Sequence, residues 1–301
     1  MKISSSTGDF SKVSEKNTDR ILCYEGTGFR YLNLNLYSEA KPNKPLFMND
    51  ESWRQMFEDI GEASLKTNTR IILAHAPAEV MNYRENRDMY IRAVNRTIEG
   101  CALLGISDLV VHPAWSLEFD KECLFSENRL FYELIMPTAE KFGINILAEN
   151  NYYSNGLLNN GKDMLELLDV IGHPLLYVCW DTGHARLVKA DQYESITLLG
   201  EKLRAVHIHD NEGYWDRHTS PFFGDINFDP IIQALIDIDY KGYFNLECEW
   251  ILKPGGREQW VYHGKPVDRL GVPPKHIYQM AVRLLYEIGV YMLSAYDVYE
   301  E

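Results

Sequence analysis

The chain has 301 residues, 46% hydrophobic and 25% charged, and 30 Lys and Arg against 44 Asp and Glu leave a net charge of −14. This composition argues against disorder and a fibrous repeat, and the length suits one large α/β domain. The negative field argues against nucleic acid as a partner, although a small anion held by a local cation is compatible with it.

The five cysteines, Cys23, Cys101, Cys123, Cys179 and Cys248, are odd in number and form no CxxC pair. Reduced thiols in a cytoplasmic protein are the expectation. The start, MKISSSTGDF, has no apolar signal-peptide core. No apolar run approaches the ~18 residues of a membrane helix, so no membrane association is expected.

In chain order, short apolar and β-branched runs alternate with segments of helical period. Strands are predicted at 2–6, 30–36, 70–76, 108–114, 145–151, 176–182, 203–210 and 242–249. Helices are predicted at 50–65, with Asp50 as the cap, at 84–104, at 228–238, and from about 274 to 291. Eight strand–helix units predict a (β/α)8 TIM barrel with all of 1–301 as a single domain. An open doubly wound sheet is the alternative, but no glycine-rich turn follows the first strand. The polar stretch 251–275 reads as a long loop after the eighth strand, a lid or a subunit contact.

Parallel strands, buried on both faces, are expected to be apolar throughout. Here their C-terminal ends carry metal-ligand types. His75 ends the third strand, His112 the fourth, Glu149 the fifth and Asp181 the sixth. His207 and His209 end the seventh, and Glu247 lies near the end of the eighth. Packing gives no reason for this, because each such group costs desolvation energy unless paired or coordinated. In a barrel these ends converge on the face that holds active sites. Glu149, Asp181, a seventh-strand histidine and Glu247 offer three carboxylates and one imidazole, which suits Mn, Mg, Co or Zn. His209 is favoured as the ligand because it lies nearer the mouth; His207 then orients it or contacts substrate. His184, Asp216 and His218 form a further metal site or a polar substrate clamp. Arg217 offers a fork for an anionic group. Trp115, Phe222 and Phe223 follow strand ends and are expected to wall a substrate pocket.

The motifs VVHPA (110–114), ILAEN (146–150), WDTGHA (180–185), AVHIHDN (205–211), DRH (216–218), GDINF (224–228) and FNLE (244–247) span roughly residues 70 to 250. In this order and spacing the chain resembles the xylose isomerase-like TIM barrels. That group includes sugar and sugar-phosphate isomerases and epimerases, inosose dehydratases and endonuclease IV. The resemblance implies one divalent ion on Glu149, Asp181, His209 and Glu247, with the two glutamates moving the substrate proton. Endonuclease IV binds three zinc ions, and its additional ligands match His75, His112, His184, Asp216 and His218, so up to three ions are possible. The activity implied is that of a metal-dependent isomerase or epimerase acting on a sugar, sugar phosphate or polyol. The alternative is a dehydratase or lyase of the same group, inosose dehydratase-like or C-glycoside-cleaving. An abasic-site nuclease is less favoured, because Gly183 stands where endonuclease IV has cysteine. A homo-oligomer is also implied.

Overall fold

Each apolar run forms a strand, and together the strands close on themselves. The structure, a computed structural model, describes all residues except 40, 42, 78–82, 154–155, 253–259 and 268–269. The strands are β1 (Ile3–Ser6), β2 (Tyr31–Asn35), β3 (Arg70–His75), β4 (Asp108–Val111), β5 (Asn145–Glu149), β6 (Leu176–Asp181), β7 (Leu203–Ile208) and β8 (Phe244–Leu246). All neighbours pair in parallel, and β8 pairs with β1 to close the barrel. The short, polar first strand therefore belongs to the barrel, where Ser4 Oγ donates to Asn245 Oδ1 across the closure.

The helices α1 (Asn17–Leu22), α2 (Asp50–Lys66), α3 (Tyr83–Leu104), α4 (Lys121–Phe142), α5 (Gly161–Ile171), α6 (Thr182–Leu187), α7 (Gln192–Leu199), α8 (Asp229–Asp237) and α9 (Lys275–Ser294) occupy the connections. The cap of α2 differs from expectation. Asn49 accepts from Ser52 N at 2.8 Å, while Asp50, one residue inside, receives Arg96 Nη2 at 2.8 Å. A cap needs extended backbone, which Asn49 has and a helical Asp50 does not.

Helix faces and the outward faces of the strands form one large apolar core, with Trp53, Phe57, Phe131, Tyr132 and Trp180 fully buried. The stretch 251–275 is not simply a loop. Strands β9 (Trp260–Tyr262) and β10 (Lys265–Val267) pair antiparallel within it. His263 and Gly264 both adopt positive φ, the geometry a two-residue hairpin turn requires. The rest of the stretch falls partly outside the described residues. Among the described residues, no helix is long and apolar enough to cross a membrane.

Candidate active site

Alternation along each strand decides which side chains share the barrel interior. Leu73, Val110, Leu147, Cys179 and Ala205 form an apolar layer. Two residues further toward the C-terminal mouth come His75, His112, Glu149, Asp181 and His207. The same step on β8 leads from Asn245 to Glu247. Most of the predicted strand ends overrun the true ones, so His112, His209 and Glu247 lie just past β4, β7 and β8.

The structure places His207 against Glu149 and Glu247, and His209 against Asp181. The sheet pairs Asp181 with His207, which sets them at one level and His209 beyond it. His207 Nδ1 lies 2.9 Å from Glu149 Oε1 and 3.0 Å from Glu247 Oε2, with Asp181 Oδ2 at 3.9 Å. His209 Nε2 instead lies 3.0 Å from both Asp181 oxygens, so it braces that carboxylate from the side. The geometry therefore groups His207 with Glu149 and Glu247, and His209 with Asp181. Gly183 makes room for the brace, since a Cβ there would fall 1.9 Å from His209 Cε1.

Among the described residues the candidate ligand atoms form three groups, each with atoms within 4.8 Å of one another. They are His75, Glu149 and His207; Glu149, Asp181, His207 and Glu247; and His184, Asp216 and His218. His112 adjoins the first, its Nε2 2.8 Å from Glu149 Oε2. The ring orientations follow one rule. His75 Nδ1 donates to Ala76 O at 2.8 Å and His184 Nδ1 to Asn150 O at 2.8 Å. His218 Nδ1 donates to Glu247 O at 3.3 Å, and His112 Nδ1 meets the Tyr153 hydroxyl at 3.1 Å. Each ring thus spends Nδ1 on an outer partner and turns Nε2 toward Glu149 or Asp216. This is how metal-binding histidines are held in one tautomer. The central set of one imidazole and three carboxylates fits a hard or borderline divalent cation.

Charge points the same way. Glu149, Asp181 and Glu247 are buried, and among the described residues their ion-pair partners are all histidines. Burial pushes the Glu149 pKa up, but His207 and His112 outweigh it and hold it well below the usual carboxylate range. Burial also opposes charge on His184, yet Asp181 and Asp216 raise it to about 10. For His112 burial prevails and the pKa falls.

Local structure explains the placement. Asp181 ends β6 and caps α6, accepting from His184 N at 2.6 Å, so one carboxylate orients the next histidine. Asn150 clamps Asp181 through N–H and carbonyl at 2.6 and 3.0 Å. Asp210 accepts four backbone N–H groups, from Asn211, Phe222, Gly224 and Ile226, and shapes the loop after β7. His218, in that loop, adopts φ of +40°, a left-handed conformation uncommon outside glycine, and stacks on His209 at 3.9 Å.

The other expected residues divide. Trp115 is partly buried against Tyr153, with ring centroids 4.3 Å apart, and so backs His112. Phe222 and Phe223 are 59% and 61% exposed, and the Phe222 ring faces Tyr291 on the outer helix α9 at 6.2 Å. The four N–H bonds to Asp210 fix the loop so that Phe222 leans outward, against the expectation of a pocket wall. Arg217 donates from Nη1 to Glu212 Oε1 at 2.6 Å and is half exposed.

Residues not picked out from sequence complete the mouth. Tyr37 lies with its ring 6.4 Å from His75 and 6.5 Å from His112. Tyr152, noted as a flanking aromatic, lies 5.0 Å from His184. Asp9 is wholly buried and holds the segment after β8 by accepting from Cys248 N at 3.0 Å. Burial lifts its pKa to about 8. Glu249 repeats the period-two signal of Glu247 and could have been found by it.

Comparison with known proteins agrees with this architecture. Residues 27–266 match the family described as the xylose isomerase-like TIM barrel. An uncharacterized protein of Methanocaldococcus jannaschii is 30% identical over 187 residues, covering 58% of this chain and 64% of that protein. A ketose 3-epimerase of Arthrobacter globiformis is 28% identical over 155 residues, covering 50% of this chain and 52% of the epimerase. The chain therefore spans from half to two thirds of the length of these relatives. A solved D-psicose 3-epimerase structure superimposes with a TM-score of 0.69 at 18% identity, covering 97% of this chain and 99% of that one. With the family match extending over most of its length, the chain belongs to the xylose isomerase-like TIM barrel family.

Proposed function

We propose that the protein is a divalent-metal-dependent sugar epimerase or isomerase. The observation that carries this reading is the buried set Glu149, Asp181, His207 and Glu247, whose ligand atoms lie within 4.8 Å of one another. These four residues would hold one metal ion. When bound, the ion supplies Lewis-acid stabilisation of the oxyanion that develops when a carbon beside a carbonyl loses its proton.

The chain's own groups carry the proton. Glu149 and Glu247 stand on β5 and just past β8, both converging on His207 Nδ1. A substrate seated at the mouth meets both carboxylates. One takes the C–H proton, and the other returns a proton to the opposite face, which inverts the carbon. Return to the neighbouring carbon interconverts aldose and ketose. His207, fully buried, fixes the two carboxylates relative to each other. Tyr37 and Tyr152 rim the mouth, their rings 6.4 Å from His75 and 5.0 Å from His184.

The similarity to a ketose 3-epimerase supports a sugar as the substrate class. His75, His112, His184, Asp216 and His218 would extend the site to as many as three ions, a reading supported by His75, His184 and His218, whose Nδ1 atoms are bound to backbone carbonyls and leave Nε2 for a metal. The negative net charge favours a sugar over a nucleic acid for this metal capacity.

The test is a screen of free ketoses in D2O with metal-loaded protein, read by NMR. Deuterium at the inverted carbon with formation of the epimer supports epimerase action. Deuterium at the carbon next to an aldehyde supports isomerase action. Loss of water or of a substituent, with no epimer, replaces this reading with a dehydratase or lyase.

A further inference from the structure

We propose that Asp9 is a positioning residue for Glu247: its carboxyl replaces a main-chain acceptor that β1 stops supplying, and so fixes the peptide group that follows the glutamate. This rests on the function proposed above, because that reading gives Glu247 its roles as ligand and proton carrier.

Along β8 the backbone N–H groups turn alternately to its two neighbours. Phe244 N donates to Lys2 O on the β1 side at 2.8 Å, and Glu247 N donates to Ile208 O on the β7 side at 3.0 Å. The same alternation turns Cys248 N toward β1. The ladder between β1 and β8 ends with Ser5 opposite Leu246, and from Thr7 to Phe10 the chain winds into a short helical turn. The next carbonyl in line, Ser6 O, accepts from the Tyr24 hydroxyl. Asp9, on the turn, supplies the acceptor instead, its Oδ1 taking Cys248 N at 3.0 Å.

Asp9 is itself held. Its Oδ2 accepts from Ser5 Oγ and lies 3.2 Å from the Tyr24 hydroxyl, and the side chain is fully buried. Packing alone would favour an apolar side chain here, because burying a carboxyl costs energy that only its hydrogen bonds offset. The peptide group that Asp9 grips has a second end, since Glu247 O accepts from His218 Nδ1 at 3.3 Å. One peptide plane is therefore clamped between Asp9 and a histidine of the third ligand group. The Glu247 side chain starts from that plane and brings Oε2 to 3.0 Å from His207 Nδ1. A ligand or proton carrier must hold its place to within about 0.5 Å. Past the end of the ladder Glu247 keeps a strand bond on the β7 side alone, and Asp9 restores the hold on the other.

The experiment titrates chelator-treated, full-length wild type, Asp9→Asn and Asp9→Ala with Mn²⁺ and Co²⁺ by calorimetry, and reads sugar turnover alongside. Asparagine keeps an Oδ1 acceptor for Cys248 N; alanine does not. Asp9→Ala should weaken metal binding about 10- to 100-fold, as loss of an outer partner does, and change the Co²⁺ absorption spectrum. It should lower kcat about tenfold and leave KM within about twofold. Asp9→Asn should return affinity and kcat to within about threefold of wild type. A role in stability alone would lower the melting temperature of Asp9→Ala and leave affinity and kcat unchanged below it, and that result overturns the proposal. A loss in Asp9→Asn as large as in Asp9→Ala overturns it too. If Asp9→Ala does not fold, Ser5→Ala, which frees Oδ2, takes its place: metal binding weaker by about threefold or more supports the proposal, and unchanged binding overturns it. Weakened metal binding in Asp9→Ala with no epimer or isomer formed by wild type sinks the proposed function alone. Epimer formation that Asp9→Ala leaves intact, at unchanged metal affinity, sinks this proposal alone.

Discussion

Replacing His207 and His209 separately by asparagine tests the geometry at its most discriminating point. His207 Nδ1 touches Glu149 and Glu247, whereas His209 touches only Asp181 within the central set. Four-ligand sites in small zinc domains yield roughly 10–16 kcal/mol, so one ligand is worth about 3 kcal/mol, or a factor of about 10² to 10³ in affinity. Outer partners of a ligand typically cost about 10- to 100-fold. His207→Asn should therefore weaken Mn²⁺ or Co²⁺ binding by about 10² to 10³. His209→Asn should weaken it by no more than about 10-fold to 100-fold, through a looser Asp181. Calorimetric titration of chelator-treated protein gives both constants, and the Co²⁺ absorption spectrum reports the donor set. Because His207 is fully buried, circular dichroism must show that both variants fold. If His209→Asn abolished binding while His207→Asn retained it, the assignment from sheet level would be wrong.

Four further outcomes are expected. Glu149→Gln and Glu247→Gln should each lower kcat at least about 10²-fold with the fold intact, as loss of a general acid or base does; a residual rate above a tenth would remove that glutamate from the proton path. Asp9, at about 8 in the fold against about 3.9 unfolded, stabilises the folded state most below pH 4. Its contribution is lost as pH rises through 8, so against Asp9→Asn the wild type should lose about 1.4 kcal/mol per pH unit between those limits, and parallel denaturation curves would refute this. Asp210→Ala strands four backbone N–H groups and should cost about 3 kcal/mol or more in chemical denaturation. Phe222→Ala, whose ring faces α9, should leave KM within about twofold, and a large rise would return Phe222 to the pocket.

Sequence alone determined the barrel. Buried parallel strands impose unbroken apolar runs, and helices impose their own period, so the alternation was legible from Tyr31 onward, whereas the polar first strand and the β9–β10 hairpin do not follow it. It also exposed the site in outline, because a buried carboxylate or imidazole at a strand end violates that pattern at an energetic cost, and His75, Glu149 and Asp181 each do so. What it could not decide is relative level. His207 and His209 have the same parity, and only the pairing of Asp181 with His207 across β6 and β7 tells which meets Glu149 and Glu247 and which meets Asp181. Nor could it give loop direction. Phe222 leans toward α9 because Asp210 gathers four distant N–H groups, and Asn35 finds Glu249 because barrel closure brings β2 and the end of β8 together. Periodicity is a property of one strand. Register, closure and hydrogen bonding between distant segments are properties of the assembled barrel.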